Sequence, residues 1–327
     1  MTVLVTGATG FVGSAVTRLL LNQGATVVVL SRRDSDRTNV ADLNVEVREG
    51  DLRDQRSLER ACAHCDTLFH VAADYRLWTK NSDDLYASNV DGTRNIMRAA
   101  LECGIDKIVY TSSVATLGTN TDDSSGDENT PVKIDDMIGD YKRSKFLAER
   151  VVDELVERDN LPAVIVNPST PVGPHDIKPT PTGRVIRDAQ AGRIPGYVDT
   201  GLNIAHVDDV AAGHLLALEH GQVGRRYILG GENLSLHEIL RIIAEICGRS
   251  PPTLKLPRRL LFPIAYASEA WAWITDGNEP QVTVDGLRMA RKKMFFSSAR
   301  AIKELHYVAR PAREALEDAV SWFKDRL

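Results

Sequence analysis

The first half of the chain alternates short apolar runs with longer segments of helical periodicity. This alternation constrains the fold more than any other feature. Strand patterns lie at 2–6, 26–31, 45–51, 66–72, 107–113 and 163–167, and most of them are apolar runs with the length and composition of buried strands. Helical patterns at 11–23, 54–63, 84–102 and 141–158 lie between them. Repeated strand, helix, strand units form a parallel sheet with helices on both faces, so we predict an α/β fold with a Rossmann-type, doubly wound parallel sheet.

The sequence changes character after Pro168. The next stretch, "NPSTPVGPHDIKPTPTGR" at 167–184, contains five prolines, and we expect an ordered, non-helical loop over a cleft. Shorter strand and helix patterns follow at 204–220, 225–231, 235–247 and 311–326. We therefore predict a dinucleotide-binding domain over 1–167 and a smaller, mainly substrate-binding lobe over 168–327. Some segments of that lobe are expected to return to the first domain.

Charge and composition narrow the class of protein. The 327 residues carry a formal net charge of -5, which argues against nucleic acid as a partner, since phosphate backbones are bound by concentrated positive charge. The N-terminus has no secretory pattern, and no apolar run reaches the roughly 18 residues of a membrane span. We expect a cytoplasmic protein with no transmembrane segment and a small-molecule substrate.

Two local features have competing interpretations. The apolar segment at 260–274 is expected to pack in the core of the lobe rather than to touch a membrane surface, because apolar helical stripes usually face protein. Cys62 and Cys65 form a C-x-x-C pair, but no second pair of ligands lies nearby to complete a zinc site. We expect a structural role for both cysteines and no metal site.

Three glycines lie between the first strand and the first helix, in "VTGATGFVG" at 5–13. Gly7 allows a tight turn, Gly10 lets the backbone approach a pyrophosphate, and Gly13 lets the helix pack closely on the sheet. The free N–H groups at the start of the helix, where Phe11 and Val12 lie, can then face the phosphates. This context predicts a dinucleotide site.

The end of the second strand distinguishes between the two nicotinamide cofactors. An NAD site usually offers a carboxylate there to the ribose hydroxyls, whereas this chain has Ser31, Arg32 and Arg33. A guanidinium can hold a 2′-phosphate that a carboxylate would repel. We therefore favour NADP(H) over NAD(H), with Arg32 as a solvated surface charge as the alternative.

Three polar residues form a candidate catalytic set. Ser113 ends the fifth strand, and Tyr141 and Lys145 lie four residues apart, on one face of the next helix. A free phenol titrates near pH 10, so a neighbouring ammonium and an oxidised nicotinamide are expected to lower the pKa of Tyr141. Tyr141 would then exchange a proton with a substrate oxygen to which Ser113 is hydrogen-bonded.

The chain resembles the extended short-chain dehydrogenase/reductases of the epimerase/dehydratase group in the glycine motif, "GDL" at 50–52, "HVAA" at 70–73, "YTSSVATLG" at 110–118, "YKRSK" at 141–145, "NPS" at 167–169 and "HVDDVA" at 206–211. More narrowly, "AADYRLW", "DIKPTPTGR" and "KKMFFSSA" are similar to the hopanoid-associated sugar epimerases, which are themselves similar to dihydroflavonol 4-reductases. The resemblance covers essentially the whole chain.

The resemblance implies Ser113, Tyr141 and Lys145 as the catalytic residues. It also implies a homodimer through the helices near 84–103 and 141–158. The further residues that it places in or beside the cofactor site are Asp51, Leu52, Ala72, Ala73, Asn89, Thr111, Pro168 and Ser169.

One departure from the family pattern bears on the substrate. Nucleotide-sugar epimerases of this type usually carry an Arg before the "HVDD" segment to hold the diphosphate, and this chain has Asn203 and no Arg there. His206 and Asp208 are expected to be framework polar groups between the lobes. Three functions stay open: an epimerase that retains its cofactor, an NADPH-dependent carbonyl reductase that exchanges it, and a non-catalytic dinucleotide sensor.

Overall fold

The computed structural model describes residues 1–120, 122–275, 280, 282–324 and 326. Within them the strands are β1 (Thr2–Thr6), β2 (Thr26–Ser31), β3 (Glu46–Glu49), β4 (Thr67–His70), β5 (Lys107–Thr111), β6 (Ala163–Pro168), β7 (Thr170–Val172), β8 (Gly196–Tyr197), β9 (Gly201–His206), β10 (Arg226–Leu229), β11 (Glu232–Ser235), β12 (Leu254–Lys255) and β13 (Lys293–Met294).

The helices in the same residues are α1 (Phe11–Asn22), α2 (Gln55–Cys62), α3 (Asp83–Tyr86), α4 (Gly92–Glu102), α5 (Gly139–Asp159), α6 (Pro181–Gln190), α7 (Val207–His220), α8 (Leu236–Ile246), α9 (Arg258–Thr275), α10 (Val284–Met289), α11 (Ala299–Leu305) and α12 (Ala312–Lys324). A π-helical turn at Ala87–Asp91 joins α3 to α4. The predicted helix over 84–102 is therefore one helical segment with a wider turn inside it.

The central sheet confirms the predicted fold class. Its seven strands are all parallel, in the order β10-β6-β5-β4-β1-β2-β3. Side chains alternate between its faces, so that Val3 and Val5 join one apolar cluster and Leu4 joins the other. Helices α1 and α7 cover the first face, while α2, α4 and α5 cover the second. The carboxyl ends of the strands meet at one edge, where open α/β sheets bind ligands.

The lobe that follows β6 has its own sheet and core. Strand β9 lies between β11 and β13, and β7 also pairs with β9. Helices α6, α8 and α12 pack on this sheet around an apolar cluster that includes Ile204, Ile243 and Leu316. Strand β10 leaves the lobe and pairs with β6 as the outermost strand of the large sheet. The division at 167/168 stays a prediction.

The proline-rich stretch is only partly non-helical. The expectation of a loop over 167–184 is wrong from Pro181 onward, because α6 begins there. Proline suits the first position of a helix, where its missing N–H removes no hydrogen bond. Thr180 completes the start, since its side chain accepts a hydrogen bond from the backbone nitrogen of Gly183 at 3.1 Å.

The segment at 260–274 forms most of α9, and the expectation that it packs in the core of the lobe is wrong for most of its apolar side chains. Ala265 and Ala272 are buried, but Leu260, Trp271 and Ile274 are 69%, 70% and 74% exposed. The small cluster beneath α9 holds only a few side chains from α9 and α10, so one face of the helix stays in solvent. Among the described residues, no helix is both long and apolar enough to cross a bilayer.

Candidate active site

The glycine turn between β1 and α1 leaves no room for side chains. Gly7 has a φ of +73°, and a Cβ there would lie 2.6 Å from the backbone nitrogen of Ala72. A Cβ at Gly13 would lie 2.1 Å from the carbonyl oxygen of Gly7. Gly10 precedes α1, and no side chain caps the N–H groups of the first turn, where Phe11 and Val12 lie. This geometry suits a phosphate at the positive end of the helix.

A cluster of guanidinium groups follows β2. Ser31 is buried at the end of the strand, and Arg32 after it is exposed. Arg37 Nε donates to Ser31 Oγ at 3.3 Å, and Arg37 Nη2 lies 3.4 Å from Glu49 Oε1. Arg33 pairs with the same carboxylate at 3.7 Å. Sequence analysis missed Arg37, although the repeated arginines of "SRRDSDR" at 31–37 carried its signal.

Four of the expected cofactor contacts lie in the loops that follow β3 and β4. All four of these residues, Asp51, Leu52, Ala72 and Ala73, are half-buried. The Arg53 guanidinium donates to both carboxyl oxygens of Asp51, at 3.1 and 3.0 Å, and holds the pKa of Asp51 below its usual range. These loops lie at the edge of the sheet that the glycine turn also occupies.

Ser113, Tyr141 and Lys145 are brought to the carboxyl edge of β5. Ser113 lies two residues beyond the strand, and its Oγ accepts a hydrogen bond from the backbone nitrogen of Ala115 at 3.1 Å. Tyr141 lies in the first turn of α5 and Lys145 one turn later. A side-chain hydrogen bond joins Ser113 to Tyr141. The three predicted catalytic residues therefore form one cluster.

The expected effect of Lys145 on Tyr141 is not found. Burial raises the pKa of Tyr141 above 10.0, and the hydrogen bond with Ser113 is the interaction that opposes this rise. Lys145 Nζ instead donates to the Thr111 carbonyl oxygen at 2.9 Å and to Tyr110 Oη at 3.3 Å. Burial lowers the pKa of Lys145 from 10.5 to about 8, although Glu149 opposes the change.

A layer of aromatic side chains lies beneath Lys145, and sequence analysis missed it. The Tyr110 ring stacks on His70 with centroids 5.7 Å apart, and Lys145 Nζ lies 4.9 Å from the Tyr110 centroid. His70 bonds to Thr6 at 2.7 Å and to Thr93 at 3.1 Å. Burial, with a smaller effect of Lys145, lowers the pKa of His70 from 6.5 to about 3, so this imidazole is neutral at physiological pH.

Asn89 connects the substrate-side loop to the helix that carries Tyr141. Its Oδ1 accepts from the backbone nitrogen of Asp74 at 2.7 Å, and its Nδ2 donates to the Asp74 carbonyl oxygen at 2.9 Å. Nδ2 also donates to Ser144 Oγ at 3.0 Å, and Ser144 in turn donates to the Tyr141 carbonyl oxygen. The π-helical turn at 87–91 aims this side chain inward, as such turns often do at functional sites.

Glu149 anchors α5 from the side opposite to Asn89, and it too was missed. This buried carboxylate accepts hydrogen bonds from Ser112, from Thr116 at 2.9 Å and from Asn167 at 2.9 Å, all at Oε2. Its Oε1 lies 3.5 Å from Arg226 Nε on β10. The partners come from three separate parts of the chain, so no local pattern predicts the cluster.

Three further expected contacts lie at the ends of β5 and β6. Thr111 Oγ1 is hydrogen-bonded to His214 at 2.9 Å. Pro168 ends β6, and the Ser169 backbone nitrogen donates to the Leu229 carbonyl oxygen at 3.2 Å. Ser169 Oγ is buried and has no hydrogen-bond partner within the described part of the chain. The crowded glycine turn and this unpaired hydroxyl both fit a bound dinucleotide.

The polar residues where the lobes meet serve the framework. Buried His206 bonds to Asp318 at 3.0 Å and accepts from the backbone nitrogen of Asp208 at 3.0 Å. Asn203 Nδ2 donates to the carbonyl oxygen of Gly231 at 3.0 Å, and its Oδ1 accepts from the Gly231 nitrogen at 2.8 Å. Asn203 is 1% exposed, so it holds strands together and offers no group to a substrate.

A cavity of about 290 Å³ lies between the loop after β4, the start of α5 and helices α9 and α10. It combines charged and aromatic groups: Arg76, Leu77, Trp78, Thr79, Asp140, Tyr266, Glu269, Val284, Asp285 and Arg288. Asp140 is the neighbour of Tyr141 in the chain and accepts a hydrogen bond from Tyr86 at 3.2 Å. The cavity can therefore hold a part of a substrate that is remote from the reacting atoms.

The cysteine pair has the features of packed core residues. Cys62 and Cys65 are both buried, and burial raises the pKa of Cys62 to about 12. A thiol that stays protonated is a poor nucleophile and a poor metal ligand. In the described ranges, no three His, Cys, Asp or Glu side chains are grouped to hold a metal ion.

Comparison with known proteins finds a matching family model and relatives that cover nearly the whole chain. The model of the NAD dependent epimerase/dehydratase family matches residues 3–230. A Synechocystis protein named "Putative dihydroflavonol 4-reductase" is 43% identical over 98% of this chain and 94% of its own length. Sterol demethylase protein B of Methylococcus capsulatus is 35% identical over 100% of this chain and 99% of its own. The crystal structure of gox2253 superposes with a TM-score of 0.89 at 54% identity, over 99% of this chain and 98% of that one.

Proposed function

The chain belongs to the NAD dependent epimerase/dehydratase family, and within these NAD(P)-dependent oxidoreductases we propose that it is an NADPH-dependent carbonyl reductase. Tyr141 donates its hydroxyl proton to the carbonyl oxygen of the substrate, and Ser113 donates a hydrogen bond to the same oxygen. When bound, the reduced nicotinamide supplies the hydride for the carbonyl carbon. Lys145 places positive charge beneath the site, where its ammonium is held by the Thr111 carbonyl oxygen and Tyr110 Oη.

The protonation state of Tyr141 supports a reductase rather than an epimerase. Because burial raises the pKa of Tyr141 above 10.0, the phenol keeps its proton at neutral pH. A carbonyl reductase needs this protonated form as its general acid. An epimerase must first oxidise a carbinol, a step that needs the phenolate as a base. Without bound cofactor, Tyr141 is therefore in the protonated form that the reductive direction uses.

The residues of the lobe also favour a reductase over a nucleotide-sugar epimerase. Asn203 occupies the position at which the resemblance leads us to expect a diphosphate-binding Arg, and all its hydrogen bonds go to the lobe itself. The relative named as a dihydroflavonol 4-reductase supports the same direction. A role in hopanoid synthesis, which the resemblance implies, stays a prediction.

We propose NADP(H) as the cofactor, held by the residues whose placement fits it. The phosphates would lie against the turn formed by Gly7, Gly10 and Gly13, and the unpaired Ser169 Oγ would be available to the nicotinamide end. Arg32 and Arg37 hold the 2′-phosphate, since paired guanidinium groups bind phosphate better than hydroxyls. A homodimer through α4 and α5 is also proposed, and the 38% exposure of Leu147 on α5 supports it.

The test is consumption of NADPH by the purified full chain with a panel of aldehydes and ketones. We expect turnover of at least one carbonyl compound, and the Tyr141→Phe variant should lose roughly 100- to 10,000-fold in kcat while it keeps NADPH affinity. Tyr197→Phe is the matched control, because Tyr197 lies on β8 in the lobe and stacks on His237. That variant should keep full turnover.

Other outcomes identify the other functions. Isotope exchange at a carbinol carbon, with tightly retained cofactor and no net use of NADPH, would indicate an epimerase. Dinucleotide binding with neither reduction nor exchange would indicate a non-catalytic sensor. Full activity of Tyr141→Phe would remove the proposed mechanism.

A further inference from the structure

Helix α9 exposes a continuous apolar stripe. Leu260, Ile264, Ala267, Trp271 and Ile274 follow one another at intervals of four and three residues, which places them on one side of a helix. The large members are 54–74% exposed. The opposite side packs inward through Ala265 and Ala272.

The stripe differs from the rest of the described surface. Fifteen large hydrophobic residues are exposed within the described residues, and six of them lie on this one helix of 18 residues. The other nine are scattered, as is normal for a protein in water. Concentrated apolar exposure of this kind marks a surface that contacts protein or lipid.

The charges and aromatic groups around the stripe fit a lipid surface. Arg259 is exposed at the start of α9, where Arg258 is half-buried, and Lys80 Nζ donates to the Trp273 carbonyl oxygen at 2.7 Å near the other end of the helix. The helix carries one carboxylate, Glu269, and this group turns inward to accept a hydrogen bond from the Val284 nitrogen at 2.7 Å.

Such a helix has the composition of one that lies in a membrane interface. Cationic side chains beside an apolar face, with Trp and Tyr at its border, allow contact with anionic headgroups and shallow burial of the apolar groups. The acidic Asp276 and Glu279, which follow in the sequence, lie outside the described residues.

A second copy of the chain is less suited than a lipid surface to cover the stripe. Stable protein interfaces usually take about 20–30 residues from each partner. The stripe offers five residues, with Tyr266 and Trp273 at its border. A bilayer surface needs only the stripe and its flanking cations.

The position of α9 connects this surface to the active site. Tyr266 and Glu269 line the same cavity as Asp140, the chain neighbour of Tyr141. Lys80 ties the end of α9 to the loop after β4, which forms another wall of this cavity.

We infer that α9 docks this protein on the surface of an anionic lipid bilayer, without crossing it.

The experiment is flotation of the full chain with vesicles of phosphatidylcholine alone, or of phosphatidylcholine and phosphatidylglycerol in equal parts. We expect the protein to float with both, and more strongly with the anionic vesicles. The double variant Trp271→Glu, Ile274→Glu should bind at least about tenfold more weakly. The matched control is Ile302→Glu, Val308→Glu, which adds the same charge at positions 57% and 77% exposed and should float like wild type.

Three results would overturn the proposed docking surface. The first is that wild type does not float, and the second is that both double variants float equally well. The third is that, without lipid, wild type forms an oligomer that the α9 variant does not form. The last would make α9 an interface between copies. Reduction of soluble carbonyl compounds without vesicles is measured in parallel. Flotation without any reduction would leave the docking surface intact and refute the proposed function.

Discussion

The burial of Lys145 gives a prediction that does not need the substrate. Its pKa falls from 10.5 in water to about 8 in the folded chain, chiefly through burial. Since each pH unit corresponds to about 1.4 kcal/mol, this lowering of the pKa means that the buried ammonium costs roughly 3 kcal/mol when fully charged. The unfolded chain binds more protons than the folded one between these two pKa values. Stability should therefore rise with pH across this window.

The Lys145→Met variant isolates this effect. Near pH 7 wild type bears almost the whole cost of the charged lysine, and near pH 9.5 only about 1 kcal/mol of this cost remains, whereas methionine does not titrate. The free energy of unfolding of wild type, minus that of the variant, should rise by about 2 kcal/mol between the two values of pH. Urea denaturation of both proteins at each pH measures the difference, and effects of other groups cancel.

A change of less than about 0.5 kcal/mol would refute the reasoning, because Lys145 would then titrate near its value in water. A fall in this free-energy difference as the pH rises would mean that folding raises the pKa of Lys145 instead of lowering it. The Lys324→Met variant supplies the baseline, since Lys324 is an exposed lysine at the end of α12 and should give no pH-dependent difference.

Three further predictions concern the turn, the buried imidazoles and the cofactor. Gly13→Ala should destabilise the protein by roughly 1–3 kcal/mol in denaturant unfolding, because the new methyl would lie 2.1 Å from the Gly7 carbonyl oxygen. Burial lowers the pKa of His70 to about 3 and that of His214 to about 4, both from 6.5. The unfolded chain therefore binds more protons as pH falls below 6.5, and each imidazole should remove about 2 kcal/mol of stability between about pH 7 and pH 5. Arg32→Ala should raise the Kd for NADPH roughly 10- to 100-fold and leave that for NADH unchanged, as measured by fluorescence titration.

Each of these predictions has its own control. Gly10→Ala should be milder in stability than Gly13→Ala, since its Cβ would stay 3.2 Å from the same oxygen. The acid effect should shrink in His70→Gln, which has no imidazole to protonate, and an unchanged pH dependence would contradict it. Arg241→Ala, on an exposed turn of α8, should leave both cofactor affinities unchanged. Equal loss of NADPH and NADH affinity in Arg32→Ala would argue against a 2′-phosphate contact.

Features that depend only on local sequence could be predicted. The alternation of strands and helices gave the parallel sheet, because local periodicity reports which side of each element is apolar. The spacing of Gly7, Gly10 and Gly13 and that of Tyr141 and Lys145 placed these residues correctly, since each set lies within one turn or one helix. Strand ends were less accurate: β5 stops at Thr111, two residues before the predicted end.

Features that depend on distant partners could not be predicted. Glu149 meets Ser112, Asn167 and Arg226 only after three strands have paired, and His70 lies beneath Lys145 only because β4 and β5 are neighbours. The same limit explains why the surroundings of Tyr141 could not be derived from its spacing to Lys145. A spacing of four residues puts two side chains on one face, but burial and hydrogen bonds decide where each charge goes.

The sequence by itself determined the fold class, the glycine turn and the place of Tyr141 in the first turn of its helix. Only the tertiary structure decided that β10 joins the large sheet, that Asn89 and Glu149 fix α5 from two sides, and that the apolar face of α9 stays in solvent. The physical reason is that periodicity shows that a face is apolar without showing what covers it. Burial, and with it the pKa of every group in the site, is a property of the assembled chain.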